Sequence, residues 1–485
     1  MNYNKLWKLL IDKKLSKTDL RNMTGLSRST LAKLVNEENV NTDVLERICE
    51  SLTCDLNDIA ECNYATKNTT IDSYKRKYDV KWNFKDGSMK DLVHGLHPYP
   101  AMMMPLICRE MLNDYGIGKN TVFLDPYVGS GTTLVEAQFY GAKKAIGIDL
   151  NPLAILIAKT KTEKIDLLQV RKLIDSFDEF IVNLNPDELT PPEFSIRDSW
   201  FNKNTIKELA MITAFVNSIL DVSTNDFFRV SLSEVVRTSS ETRNGEFKLY
   251  RMSKKSLEKF NPEPIKLFKE VIERNFNILN SVNYERSTEI VLHTDYTQNI
   301  PNYKELENCA DIVITSPPYG DSHTTVAYGQ FSRLANEWLG FEGAGSLDKR
   351  LLGGKKVTAK KFDIEELDSA IEKIAEADKN FNRERCWEVV AFYKDYEDSI
   401  IAVDKAVKQG GYVVYVVGNR RVRNIELPLD VITYKMFGKL GYTHIVTHVR
   451  DILNKRMPSK ASPSNEEGEQ IPTMTKEYIV VMKKS

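Results

Sequence analysis

The chain has 485 residues, 42% hydrophobic and 28% charged, with a formal net charge of −1; that length suits two to three domains with sizeable cores, and the balance excludes a strongly basic surface overall, so nucleic-acid binding would have to come from local patches. No apolar run reaches the ~20 residues of a spanning helix, and no basic-then-apolar leader opens the sequence. Its six cysteines (Cys49, Cys54, Cys62, Cys108, Cys309, Cys386) form no Cys-x-x-Cys pair and do not cluster with the histidines, so a cytoplasmic protein with reduced thiols, no metal and no membrane partner is expected.

Trp7, Leu9, Leu10 and Leu15 give the first segment one apolar face. Ser16-Lys17-Thr18-Asp19 is an N-cap with an acid three residues on, predicting a helix to Met23 that Thr24-Gly25 breaks. Ser27 caps a second helix from Arg28 to Val35, and further helices are expected from Asn41 or Thr42 to Glu50 and from Asp55. A capped helix, a glycine turn and a second capped helix make a helix-turn-helix. Five short helices in about 60 residues resemble the lambda-repressor-like DNA-binding domain. The resemblance implies such a domain over residues 1–62, with Arg28, Ser29, Thr30 and Lys33 meeting bases or phosphates in the major groove. Residues 1–60 hold nine Lys/Arg against nine Asp/Glu, so a helical dimerisation or docking module is the alternative.

Residues 63–84 read as a polar linker, with Trp82 and Phe84 close to the start of the next domain. Thr121 to Leu124 reads as a strand, Asp125-Pro126-Tyr127-Val128-Gly129-Ser130-Gly131-Thr132-Thr133 as a glycine-containing turn, and Leu134 to Tyr140 as a helix. Lys143 to Ile148 is a second strand, ending in Asp149. This is the front of a nucleotide-binding βαβ unit. The glycines let the backbone approach a ligand, and an acid at the second strand end can accept ribose hydroxyls. The turn lacks the three-glycine dinucleotide spacing and any phosphate loop. A ligand with adenosine but no phosphates fits: S-adenosylmethionine.

Residues 153–285 are rich in helical periodicity, as in 206–220 and 264–279. The stretch from Arg237 to Arg251 interleaves basic, amide, hydroxyl and aromatic side chains, as nucleic-acid contacts require. Arg243, Lys248 and Arg251 are its candidate DNA contacts, in a target-recognition insert; a solvated helix-loop-helix insert is the alternative.

The sheet resumes at Glu289 to His293, with Thr294-Asp295-Tyr296 at its end. Asp311 to Ile314 is a buried strand running into Thr315-Ser316-Pro317-Pro318-Tyr319. Two prolines remove two N–H donors, leaving the Ser316 hydroxyl and the carbonyls as acceptors beside the flat face of Tyr319. Such a site suits a planar substrate with an exocyclic amine, whose delocalised lone pair would be localised by pulling its hydrogens out of plane. Residues 326–339 look helical, and 341–383 read as a mobile lid or DNA-facing loop. Tyr412 to Val417 is a strand, with Arg420 of Asn419-Arg420-Arg421-Val422-Arg423 an expected DNA contact on its ligand side. A helix over 427–437 and a strand over 443–449 follow, then a basic loop containing Lys455 and Arg456, read as phosphate contacts or simply solvated, and a last antiparallel strand over 475–482.

Thr-Ser-Pro-Pro-Tyr together with Asp125 to Thr132 resembles the amino-group DNA methyltransferases that make N4-methylcytosine; adenine-N6 enzymes more often carry Asp or Asn before Pro-Pro-Tyr. The resemblance covers about residues 85–485 and implies an α/β, Rossmann-like fold with a seven-stranded mixed sheet and a helical insert. It implies that Ser316, Pro317, Pro318 and Tyr319 form the catalytic motif and that Asp125, Tyr127, Gly129, Gly131, Thr132 and Asp149 hold S-adenosylmethionine. It further assigns the segment His97-Pro98-Tyr99-Pro100-Ala101 to the methionine end of the cofactor, with His97, Pro98 and Tyr99 as contacts, and Asp295 to its adenine amine, and extends past the motif through Gly320-Asp321-Ser322 and Thr324 to Gln330. The implied activity is site-specific N4-cytosine methylation of duplex DNA by base flipping, with a nearby-encoded restriction endonuclease as partner. Adenine N6, an RNA amino group, and a repressor with a cofactor-sensing methyltransferase-like domain are the alternatives.

Overall fold

The computed structural model describes residues 3–60 and 74–485 apart from 37, 39, 117, 244, 246, 283, 285, 322–324, 356, 358–359, 380–384, 454–459, 462–470 and 473. Two compact units divide at Asp72 and Ser73.

The first unit holds helices α1 (Asn4–Asp12), α2 (Lys17–Thr24), α3 (Arg28–Val35), α4 (Thr42–Leu52) and α5 (Leu56–Ile59). Ser16 and Asp19 form a reciprocal capping box on α2, and Ser27 Oγ accepts the Thr30 N–H at 3.0 Å to start α3. Between them Gly25 takes φ +67°, the left-handed turn that lets α3 leave α2 at an angle. Leu6, Leu10, Leu20, Leu34, Leu45 and Ile48 close one core.

The second unit is built on an eight-stranded sheet of β1 (Arg76–Tyr78), β2 (Val122–Asp125), β3 (Lys144–Ile148), β4 (Glu289–His293), β5 (Ala310–Thr315), β6 (Val407–Val417), β7 (Tyr442–Asp451) and β8 (Lys476–Lys484). Their spatial order is β1-β7-β8-β6-β5-β2-β3-β4, parallel except for β8, which runs antiparallel to β6 and β7. Seven of these strands are the expected ones. The eighth, β1, lies in the stretch read as linker. There Arg76 pairs with the fully buried Asp430 at 2.7 Å, and the Tyr74 hydroxyl donates to the same carboxylate.

The central strands are buried on both faces. Val413, Tyr415 and Val417 of β6 face one core, while Val414 and Val416 face the other, the period of two expected of a strand. The first face is covered by α14 (Glu365–Asp378), α15 (Arg385–Ala406) and α16 (Leu429–Lys439). Its charged helix α14 lies in the segment read as a loop; Leu367, Ala370 and Ile374 form a buried stripe beneath its charges, so the run folds as an amphipathic helix. The other face packs Trp82, α6 (Pro105–Tyr115) and α7 (Thr132–Phe139).

The expected insert is helical, but α8 (Pro152–Thr162) belongs to the sheet layer, packing on α7. Helices α9 (Leu167–Asn183), α10 (Lys203–Asn217), α11 (Val222–Thr238) and α12 (Pro264–Ser281) gather their own core around Phe177, Phe215, Phe227, Phe228 and Phe268. Helix α13 (Tyr328–Trp338), which follows β5, closes that core with Leu334 and Trp338.

Candidate active site

Strands β3 and β4 leave β2 on one side, and β5 and β6 on the other. The strand order therefore reverses between β2 and β5, where parallel α/β sheets open a crevice at the carboxyl ends of the strands. A cleft of about 910 Å³, open to solvent, lies there. Its lining brings together Asp125, Tyr127, Gly129, Thr132, Asp149, Asp295, Tyr99, Ser316 and Pro318 of the expected residues.

Asp149 sits just past β3. Its two oxygens accept the backbone N–H groups of Gly129 (2.9 Å) and Asn151 (2.8 Å), and each keeps a lone pair for a ligand hydroxyl. Burial pushes its carboxyl up to about 6, against the lowering effect of those two bonds. Asp125 is used differently. It accepts from Tyr127 N–H (3.0 Å), from the Thr133 hydroxyl and from the Thr315 hydroxyl (2.6 Å), and it is also pushed up by burial to about 6. The Thr315 bond ties the cofactor turn to the first residue of the catalytic motif.

The two glycines of the turn differ as well. Gly129, at φ +49°, faces the cleft, with Tyr99 3.8 Å from where a Cβ would stand. Gly131, at φ +79°, is outside the lining; a Cβ there would stand 2.8 Å from the Ala158 Cα, so its role is the close approach of α7 to α8. Tyr99 accepts from Asn151 Nδ2 at 2.9 Å and stacks on Tyr328, 6.1 Å between centroids. His97 and Pro98, expected at the cofactor, lie outside the lining of the cleft. His97 is 3% exposed and bonded to Ser233 of α11 at 3.2 Å, and burial drives it down to about 3, so the ring is neutral; Pro98 is exposed, outside the lining. Tyr99, Pro100 and Ala101 of the same expected segment do line the cleft, and the lining continues through Met102 and Met103. Asp295 lines the cleft while accepting from Tyr303 (2.7 Å), Asn299 (2.8 Å) and Tyr296 N–H (2.7 Å); burial raises its carboxyl, but these donors outweigh it and hold it below the usual range.

Sequence reading missed Arg350, Leu351 and Leu352, which enter the cleft from the segment read as a lid; Tyr328, which also lines it, lies in the expected continuation of the motif but was given no role. No spacing rule flags them, since they reach the site by long-range packing.

At the catalytic motif, Ser316 and Pro318 line the cleft and Pro317 is buried behind them. Tyr319 is half-buried beside Gly418, where a Cβ would meet its ring at 2.7 Å. Its hydroxyl lies 3.2 Å from Ser316 Oγ and donates to Glu477 Oε1 at 3.2 Å. Burial, then the Glu477 charge, raise the phenol well above its ordinary value, so it stays neutral.

Among the expected DNA contacts, Arg28, Ser29 and Lys33 are exposed on α3 and Thr30 is half-buried, its hydroxyl 2.8 Å from Ser27 Oγ. Thr242 and Arg251 pair in an isolated antiparallel bridge, and Arg243 N–H donates to Tyr250 O at 2.8 Å. Arg243 and Arg251 are exposed beside this bridge, Arg251 paired with Glu241, and Lys248 is half-buried. Arg420 cannot face DNA. It is 8% exposed, donates to Asp321 Oδ2 at 2.8 Å, and fills the space that a Cβ on Gly320 would need. Ser322, Thr324, Lys455, Arg456 and Cys62 lie outside the described residues.

Residues 5–64 match the model of the Cro/C1-type helix-turn-helix DNA-binding domain. Residues 102–314 match that of the D12 class N6 adenine-specific DNA methyltransferases. The chain is 36% identical over 426 residues to the Type II methyltransferase M.MvaI of Kocuria varians, covering 82% of this chain and 93% of that one. The chain belongs to the Type II DNA methyltransferase family. It is also 24% identical over 256 residues to M.BsoBI of Geobacillus stearothermophilus, 47% of this chain and 49% of that one. Among solved structures an rRNA methylase from Streptococcus thermophilus is 8% identical over 79% of this chain and 98% of its own, with a TM-score of 0.28. The family uses S-adenosylmethionine as methyl donor, and the cleft fits it: an acid with free lone pairs at Asp149, a Cβ-free backbone at Gly129, and apolar walls at Val128, Leu150 and Met103. Among the described residues no group of His, Cys, Asp or Glu is arranged to hold a metal, and no helix is long and apolar enough to cross a membrane.

Proposed function

We propose that this methyltransferase modifies the exocyclic N4 of cytosine at a specific sequence in duplex DNA, as the modification partner of a restriction endonuclease. The observation that carries the amino-group chemistry is the shared cleft: the acceptor Ser316 and Pro318 line the same cavity as Asp149 and Gly129. Bound S-adenosylmethionine supplies an electrophilic methyl group on a sulfonium. Asp149 would hold its ribose and Asp295 its adenine end, while the Ser316 hydroxyl and Pro317 carbonyl accept the hydrogens of the target amine. The target base has to leave the duplex to reach them, at a few kcal/mol of unstacking.

Cytosine is favoured by the serine form of the motif, Thr315-Ser316-Pro317-Pro318-Tyr319. Adenine N6 is the second reading. It is favoured by the D12 match, which ends at residue 314, before that motif begins. Digesting DNA from cells that express the protein and identifying the methylated nucleoside by mass spectrometry decides between them: N4-methylcytosine supports the first, N6-methyladenine replaces it with the second.

The N-terminal unit we assign to regulation, through binding of an operator-like site. Exposed Arg28 and Lys33 on the capped helix α3 support this. In the full chain, Arg28→Ala with Lys33→Ala should abolish operator binding and leave the methylated sequence unchanged; a changed or relaxed methylation sequence would show that this unit reads the substrate.

A further inference from the structure

The last strand contributes a side chain that the motif alone does not announce. Glu477 of β8 stands directly across from Arg450 of β7 in the antiparallel ladder, and Arg450 Nη1 donates to Glu477 Oε2 at 3.0 Å. The other carboxylate oxygen accepts the Tyr319 hydroxyl at 3.2 Å. A phenol carries one hydrogen, and an ionised carboxylate only accepts. With that hydrogen spent on Glu477, the 3.2 Å contact between Tyr319 and Ser316 must run from Ser316 to Tyr319. Ser316 Oγ therefore presents only lone pairs to the cleft that it lines.

We propose that Glu477 is a positioning residue that fixes Ser316 as an acceptor toward the target amine and receives, through Tyr319, the proton that the amine loses. This rests on the amino-group reading above. As the N–CH₃ bond forms and the S–CH₃ bond breaks, the amine nitrogen becomes cationic. It gives one proton to Ser316 Oγ, whose own hydrogen passes to Tyr319 Oη, whose hydrogen passes to Glu477 Oε1. A neutral methylamine, a thioether and a protonated Glu477 remain, and Glu477 then returns its proton to water. Arg450, with its side chain 6% exposed, holds the carboxylate in place at the end of the chain.

The test uses the full-length protein and single-turnover methyl transfer to duplex DNA carrying the modified site. Glu477→Gln and Tyr319→Phe should each slow transfer roughly 100-fold, the low end of what a positioned proton acceptor contributes. The double variant should be no slower than the slower single, because both break one chain. The calorimetric affinity for S-adenosylmethionine and the KM for DNA should stay within about twofold, separating this role from a structural one. Single variants within about threefold of wild type, or a double variant whose loss is the product of the two, would overturn the proposal. Should Glu477→Gln fail to fold with Arg450 left uncompensated, Tyr319→Phe keeps that ion pair and decides alone by the same rate and affinity criteria. Wild-type protein that methylates no amino group in DNA would sink the functional reading and this inference with it. Wild-type transfer with unimpaired variants would sink only the inference.

Discussion

The cofactor corner and the catalytic corner of the cleft are held together over very different sequence distances. At Asp149 the carboxylate is anchored by backbone N–H groups 20 and 2 residues away. At Tyr319 the partner is 158 residues away, and Thr315 reaches Asp125 across 190. The first corner depends on backbone conformation in one βαβ unit, the second on side chains from strands that meet only when the sheet has its final register. Substitutions should therefore damage the first by changing backbone geometry, and the second by removing a remote side chain.

The largest expected effect tests the backbone corner. Gly131→Ala places a methyl group 2.8 Å from the Ala158 Cα at φ +79°, where neither backbone can yield cheaply. Left-handed strain of about 1–2 kcal/mol and overpacking of about 1–3 kcal/mol should lower stability in urea unfolding by about 3 kcal/mol. Gly129→Ala, with nothing nearer than 3.8 Å, should cost only the backbone share; Gly129→Val should instead abolish S-adenosylmethionine binding in calorimetry, because that side chain enters the cleft. Equal destabilisation by the two alanines would mean that the glycines are not doing different jobs.

This contrast also explains what was legible in the sequence. Strand, turn, helix and acidic strand end are local patterns, so β2, α7, β3 and Asp149 could be read from 121–149, as could the strand entering Ser316. The helix-turn-helix was legible for the same reason: Ser16, Gly25 and Ser27 act within one turn of the residues they cap. Residues whose role is set by distant packing were not. Arg420 carries a charge beside a ligand-side strand end, which reads as a DNA contact, yet it is consumed by Asp321. Gly131 looks like part of a ligand loop, yet it serves a helix–helix approach. Residues 76–78 are polar, so nothing in their composition marks an edge strand; it forms because Tyr74 and Arg76 satisfy the buried Asp430.

A second, smaller effect tests the link between the corners. Thr315→Val keeps the β-branched shape in a buried strand but removes one of three donors to Asp125. A buried carboxylate left short of a partner should cost about 1–3 kcal/mol. Both S-adenosylmethionine affinity and methyl transfer should fall, since one bond positions both motifs. If transfer falls while cofactor affinity is unchanged, the Thr315–Asp125 bond is not a bridge between the corners, and the two should be treated as independent.

The smallest expected effect is in the pH response of the cofactor corner. Asp149 titrates at about 6 in the folded protein, above the ordinary carboxylate value of 3.8, because burial disfavours its charge. Its protonated form is the more stable one in the apoprotein below about pH 6, so this residue's contribution to stability is present below its unfolded value and is lost as pH rises through about 6. Ligand binding should move the other way. Accepting two ribose hydroxyls favours the ionised carboxylate, so S-adenosylmethionine affinity should fall as pH drops through about 6, by up to tenfold, or ~1.4 kcal/mol, for each further unit. Asp149→Asn should bind more weakly at pH 7 and show a flatter response between pH 5 and 7, any slope that remains belonging to Asp125, which burial also pushes up to about 6. Calorimetry across that interval checks the sign. If wild-type affinity is as flat as that of the Asn variant, the ribose is held by something other than this carboxylate, and the cofactor corner would owe its function to the backbone of the turn alone.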